Sequence, residues 1–164
     1  MSSSERSSKG SPKGSPKGSP EVSPEGSPAT SSHTGGCLCG AVRYALLGEP
    51  LYAGFCYCGD CRKASGAGCI PFMGFRASAL CITGNTRQSI SKSVRGGEAV
   101  RNFCMQCGSL IFGGRLGWDE QHTVYAGSLD DPSWFHPTIA IFIRDRSTWA
   151  QVPPGLTTYD TLPG

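Results

Sequence analysis

Seven of the nine cysteines in this 164-residue chain fall into three tight clusters, Cys37-Leu-Cys39, Cys56-Tyr-Cys58-Gly-Asp-Cys61 and Cys104-Met-Gln-Cys107. Thiols separated by one or two residues are at metal-ligand spacing, and zinc accepts such all-sulfur sets. Two pairs close one four-thiolate site. Cys37 and Cys39 project to the same face of an extended chain. Cys104 and Cys107 flank a tight turn, and Gly108 behind them permits an unusual backbone angle. Joining these pairs ties the start of the domain to its middle, and such a link contributes folding free energy directly. The middle cluster supplies three thiolates and leaves a fourth position open, the pattern of catalytic rather than structural zinc. The spacing therefore predicts two zinc ions per chain, one for the fold and one for chemistry.

Three anionic sulfurs make a weaker Lewis acid than three histidines would, but they leave a metal that still takes a fourth sulfur. The open position is expected to receive a substrate thiol. The competing reading is a second structural zinc closed by another residue, with Cys69 the candidate. Against it, Cys69 in Cys69-Ile-Pro-Phe-Met and Cys81 in Ala79-Leu-Cys-Ile both read as small buried hydrophobes. None of His33, His122 and His136 is at ligand spacing from a cysteine pair. His33 is expected to be solvated. His136 ends an aromatic loop, Asp130-Asp-Pro-Ser-Trp-Phe-His-Pro137, that either walls a pocket or packs on a sheet. Arg62 and Lys63, directly after Cys61, are candidates to balance an anionic zinc or a substrate carboxylate, or are surface charges.

The elements that must position these residues are short and extended. Ala41–Leu47, Leu51–Tyr57, Gly68–Phe75, Gln88–Val94, Ala99–Phe103, Ser109–Phe112, Thr123–Leu129 and Thr138–Arg144 are rich in β-branched and aromatic residues and bounded by turn formers, so they read as strands. No segment carries a helical apolar stripe over three turns. One short helix is predicted from Asp60 to about Gly66, capped by Asp60, with Cys61 just inside it. The fold class is mainly β: short antiparallel strands with one short helix, and zinc contributing part of the stability.

Residues 1–32 are different material. Lys-Gly-Ser-Pro and its variants repeat every four residues, and Val22 is the clearly apolar member. Such a segment buries too little surface to offset its ordering entropy and is expected to be a disordered tail. Ser11, Ser15, Ser19, Ser23 and Ser27 each precede a proline and are candidate phosphorylation sites. The zinc-binding β domain is expected over 33–164, ending in an extended Pro-rich segment from 151 to 164. Net charge is +3, and the tail holds four basic and three acidic residues, too balanced for a nucleic-acid footprint. No apolar run suits a bilayer and none suits a secretory signal, so no membrane partner is expected. A cytoplasmic or nuclear setting keeps thiols reduced, and an odd cysteine count argues against a disulfide framework.

Gly36-Cys-x-Cys-Gly40-Ala-Val-Arg-Tyr44, Cys56-x-Cys58-x-x-Cys61-Arg-Lys and Cys104-x-x-Cys107-Gly108 together resemble the glutathione-dependent formaldehyde-activating enzyme and centromere protein V family. The resemblance runs from about residue 34 to 150. It implies a β-tent fold with a structural zinc on Cys37, Cys39, Cys104 and Cys107 and a catalytic zinc on Cys56, Cys58 and Cys61. It also implies carbon–sulfur lyase chemistry, with S-hydroxymethylglutathione formed from, or broken to, glutathione and formaldehyde. The alternative it carries is a non-catalytic zinc module of the centromere protein V type, since fold alone does not fix function.

Overall fold

The computed structural model describes residues 32–164. The Ser-Pro repeats lie outside the described residues. The chain runs through β1 (Ser32–Gly36), β2 (Arg43–Leu47), β3 (Tyr52–Cys56), α1 (Gly59–Ser65), β4 (Ile70–Arg76), β5 (Leu80–Thr83), β6 (Thr86–Lys92), β7 (Glu98–Cys104), β8 (Leu110–Gly113), β9 (Gln121–Tyr125), β10 (Ile139–Ile141) and β11 (Thr157–Thr158). A three-stranded sheet has the order β1-β2-β5, and an eight-stranded sheet has the order β11-β10-β3-β4-β9-β8-β7-β6. The expected antiparallel pattern holds for most neighbours, but β10 pairs in parallel with both β3 and β11.

Several boundaries differ from the sequence expectation for local reasons. β9 stops at Tyr125 because Ser128 donates its hydroxyl to the Tyr125 carbonyl at 2.8 Å, closing a 3₁₀ turn over Ala126–Ser128. β10 stops at Ile141 because Phe142 turns left-handed, at φ 57° and ψ 44°. That conformation costs a bulky residue about 1–3 kcal/mol, and here it is held by burial of Phe142 and by its N–H donating to the Thr161 carbonyl at 3.1 Å. β1 starts at Ser32, one residue before the expected domain boundary. β5, read as buried sequence rather than as a strand, is the outer strand of the small sheet. Its alternation points Leu80 inward and Cys81 outward. The expectation that Cys81 is buried is therefore wrong: the thiol is exposed, as the two-residue period of a strand requires.

The main core lies between the sheets. Val42, Tyr44 and Leu46 from the β2 region meet Met73, Phe75, Phe112 and Val124 from the large sheet. Each such side chain, fully buried, contributes about 1.5–3 kcal/mol of transfer free energy. Asn102, also buried, keeps its amide satisfied by the carbonyls of Phe112 and Gly114 at 3.3 and 2.7 Å. No helix among the described residues is long and apolar enough to cross a membrane.

Candidate metal centres and the cleft

The two cysteine sets predicted from spacing are each brought together. Cys37, Cys39, Cys104 and Cys107 form one group of sulfurs, and Cys56, Cys58 and Cys61 form another, all within 4.8 Å inside each group. Sulfurs arranged tetrahedrally around zinc stand about 3.8 Å apart, given the usual zinc–sulfur bond. Observed spacings are 3.5 Å for Cys37–Cys39, 3.7 Å for Cys39–Cys104 and 3.4 Å for Cys56–Cys58. Both groups can therefore hold a metal ion without rearranging.

In the four-thiol group the backbone aims amides at sulfur. Val42 N–H donates to Cys37 Sγ at 3.2 Å, and Gln106 N–H donates to Cys104 Sγ at 3.4 Å. Left-handed glycines, Gly40 at φ 77° and Gly108 at φ 74°, follow the two pairs and turn the chain back. Ser109 sits 3.2 Å from Cys107 Sγ, and its hydroxyl and N–H pull that thiol down to about 5. These donors favour the thiolates that a metal requires. The group links the β1–β2 connection to the β7–β8 turn across a sequence separation of 65.

The three-thiol group sits at the end of β3 and the start of α1. The helix expectation is met in extent but not in its cap. Cys58 is the N-cap, accepting from the Cys61 N–H, while the Asp60 carboxylate reaches away to accept from Val94 N–H at 2.9 Å. The predicted cap fails because the Cys58 sulfur already accepts from the Cys61 N–H at the capping position. Contact with Cys56 and Cys61 draws Cys58 down to about 2. Contact with Cys58 and Cys61 drives Cys56 far upward. For Cys61 the Cys56 contact lowers and the Cys58 contact and burial raise, leaving it at about 11. One thiolate thus forms readily and resists the next two, a repulsion that a divalent cation would relieve.

Strand register explains what these thiols face. One cross-strand row of the large sheet reads Ala53, Met73, Val124, Phe112, Asn102, and its side chains enter the core. The adjacent row reads Tyr52, Gly74, Thr123, Gly113, Arg101 and must face the other way. Cys56, Phe72 and Tyr125 share that second face by the same alternation. A cleft of about 590 Å³ lies over it, lined among others by Cys56, Cys61, Phe72, Arg101, Tyr125 and Leu162. None of the four cysteines of the other group lines it.

The remaining sequence candidates distribute as follows. Cys69 is half-buried against Tyr57, Ala140 and Ala150, away from the three thiols. Among the described residues no fourth cysteine, histidine or carboxylate joins that group. His33 is not simply solvated, because its ring stacks on Trp134 with centroids 3.5 Å apart. Trp134 in turn lies 6.0 Å from Phe75, and Phe135 meets Phe55 edge-on at 5.4 Å, so the aromatic loop packs on the sheet rather than walling the cleft. His136 is exposed. His122 is buried beside Phe112, and burial lowers it below its ordinary value. Lys63 lines a separate groove, and Arg62 does not line the cleft.

Three contributors to the cleft are not evident in the sequence. Arg101 is buried in β7, and its charge acts on Cys61. Tyr125 is pushed up to about 12, first by burial. The 151–164 segment, expected only as an extended run, adds β11 to the sheet and brings Leu162 and Pro163 to the cleft. Alternating strand positions could have flagged Tyr125, but nothing local distinguishes Arg101 from a surface arginine.

The sequence profile of the glutathione-dependent formaldehyde-activating enzyme family matches residues 32–145. A Halomonas elongata protein named "Putative glutathione-dependent formaldehyde-activating enzyme" is 28% identical over 125 residues, covering 72% of this chain and 79% of its own. A crystal structure of a Rhodobacter sphaeroides protein superposes with a TM-score of 0.44 at 24% identity, over 59% of this chain and 87% of that one, which carries no functional information. The family match spans both cysteine groups and every strand from β1 to β10, and on that ground the chain belongs to the glutathione-dependent formaldehyde-activating enzyme family.

Proposed function

We propose that this protein is a zinc-dependent carbon–sulfur lyase that joins glutathione to formaldehyde, and the reverse, at Cys56, Cys58 and Cys61. The observation that carries the reading is the contrast between the two cysteine groups. Four sulfurs lie off the cleft, whereas three sulfurs that no fourth cysteine, histidine or carboxylate joins among the described residues present Cys56 and Cys61 to it. Cys37, Cys39, Cys104 and Cys107 would hold a structural zinc, and Cys56, Cys58 and Cys61 a second, catalytic one. Zinc at the second set, when bound, supplies an electrophilic centre that favours the ionised form of a substrate thiol.

The chain's own residues supply the rest. Cys58 is fixed by its capping bond to the Cys61 amide at 3.4 Å. Phe142, Ile141 and Phe72 pack around Cys56 and Cys58, and Ile141 and Phe72 give that end of the cleft apolar walls. Arg101 and Arg95 line the same cleft and give it a positive character suited to an anionic thiol such as glutathione.

The test is exchange spectroscopy on a mixture of glutathione and formaldehyde, where the protein should accelerate interconversion with the hydroxymethyl thioether. Cys61→Ala should abolish the acceleration while the strand content survives. Acceleration retained in that variant would remove the three-thiol group from the chemistry. The competing reading of a second structural zinc closed by Cys69 is not favoured by the placement of Cys69 on Tyr57.

A further inference from the structure

We infer that Tyr125 and Arg101 form the oxyanion site of the cleft, receiving the carbonyl oxygen of an aldehyde whose carbon is attacked by a thiolate held at the three-cysteine end. This rests on the thiol–aldehyde reading above.

Formaldehyde offers a protein one polar atom, its oxygen. Whatever orients it must be hydrogen-bond donors facing the sulfur. Several donors line the cleft, Tyr52, Arg95 and Gln121 among them, and of all the donors there Arg101 and Tyr125 are the ones that act on, or are acted on by, the thiols. Arg115 is paired with Glu98, and the Asp119 carboxylate accepts from the Arg115 backbone at 2.7 Å. Arg101 has no carboxylate partner among the described residues, and its hydrogen bond to the Ser91 hydroxyl is long, at 3.4 Å. Yet Arg101 is 9% exposed. Its charge is felt by the three-thiol group, at Cys61, which places the guanidinium where an oxygen beside a sulfur there would develop negative charge. The Tyr125 hydroxyl likewise has no hydrogen-bond partner among the described residues, and it lines the cleft with Arg101, Cys56 and Cys61. Gly113, between Thr123 and Arg101 in the row, lies directly against the phenol: a Cβ there would be in contact with the Tyr125 oxygen at 3.4 Å.

The step balances without an oxidant or reductant. The thiol releases its proton to solvent on ionising. Its sulfur forms a bond to the carbonyl carbon as the π pair moves to oxygen, where Arg101 stabilises the negative charge. Tyr125 gives its proton to that oxygen and regains one from solvent. The sum is RSH plus H₂C=O giving RSCH₂OH. In reverse, Tyr125 first releases its proton to solvent and then takes the hydroxyl proton as the carbon–sulfur bond breaks, and the departing thiolate takes a proton from solvent.

The test compares the zinc-replete wild type with Tyr125→Phe, Arg101→Lys and Arg101→Met, using glutathione and the uncharged 2-mercaptoethanol as thiols. Tyr125→Phe is expected to lower kcat by about 10²–10³-fold with either thiol, the loss usual for one oxyanion donor. The thiol KM, metal content and calorimetric glutathione binding should stay within about threefold, since the phenol acts only once charge develops on oxygen. Arg101→Lys should retain more activity than Arg101→Met. Wild-type kcat in Tyr125→Phe, or a loss confined to glutathione and to its KM, would overturn the inference and leave the thiol–aldehyde reading standing. Absence of turnover by the wild type itself would overturn both.

Discussion

Cys58 Sγ accepts a hydrogen bond from the Cys61 backbone N–H at 3.4 Å, so one thiol both caps α1 and belongs to the three-sulfur group. The ligand set and the helix that carries its third member are therefore one unit.

That double role separates two substitutions that look alike. Cys58→Ser and Cys58→Ala both remove a sulfur and should each lose one equivalent of zinc. A serine hydroxyl can still take the Cys61 amide, whereas alanine cannot. In metal-free protein, urea unfolding should therefore find Cys58→Ala less stable than Cys58→Ser by about 1 kcal/mol. Equal midpoints would show that the cap contributes nothing.

The two cysteine groups should differ in what the loss of a member does. Cys39→Ser should lose one zinc and lower the thermal midpoint sharply, because the four-thiol group joins the β1–β2 connection to the β7–β8 turn, whose strands lie in different sheets. Cys61→Ser should also lose one zinc but change the midpoint far less, since Cys56, Cys58 and Cys61 bridge only β3 and its own neighbouring helix. Metal analysis with calorimetry on both variants checks the pair of outcomes. Equal midpoint losses would count against the division of labour.

His122 makes a pH prediction. Burial lowers its pKa below the ordinary 6.5, and its Nδ1 is buried without a hydrogen-bond partner among the described residues. The unfolded chain then takes up the proton first as pH falls. Stability present above pH 6.5 should decline below it, by at most about 1.4 kcal/mol per pH unit while only the unfolded state is protonated. His122→Leu removes this term. Urea unfolding of both proteins across that range should show the wild type losing ground to the variant as pH drops; parallel curves would contradict it.

Gly113 offers a steric test of the cleft. Its absent Cβ would lie 3.3 Å from the Val100 carbonyl oxygen and 3.4 Å from the Tyr125 hydroxyl. Alanine should be accommodated with a small shift. Valine should push the phenol aside and lower kcat by about 10²-fold, as a displacement near one ångström does. Kinetics with far-ultraviolet circular dichroism distinguish this from unfolding: a folded Gly113→Val with undiminished turnover would rule it out.

What the sequence disclosed was local. Seven cysteines announce themselves by spacing alone, and both sulfur groups assemble as that spacing requires. The short strands are visible as β-branched and aromatic runs, since their period of two is written into neighbouring residues. What stayed hidden depends on partners distant in the chain. Arg101 becomes a cleft residue only when β7 pairs with β8 and β8 with β9. Cys81 reads as core until the pairing of β5 with β2 decides which face is outward. The end of β10 is set by the left-handed turn at Phe142, which no propensity for a bulky aromatic would suggest. His33 looked solvated because its stacking partner, Trp134, is far along the chain.

The two rows that alternate across the large sheet also bear on how this protein can be re-engineered. Ala53, Met73, Val124 and Phe112 fasten one sheet to the other, while Tyr52 and Thr123 on the opposite face line the cleft. A library built on the second set can reshape the cleft while leaving the fastening intact. A single-residue insertion or deletion within β9 would turn Val124 out of the core and its cleft neighbours in, so diversity here should be introduced by substitution and not by changes of length.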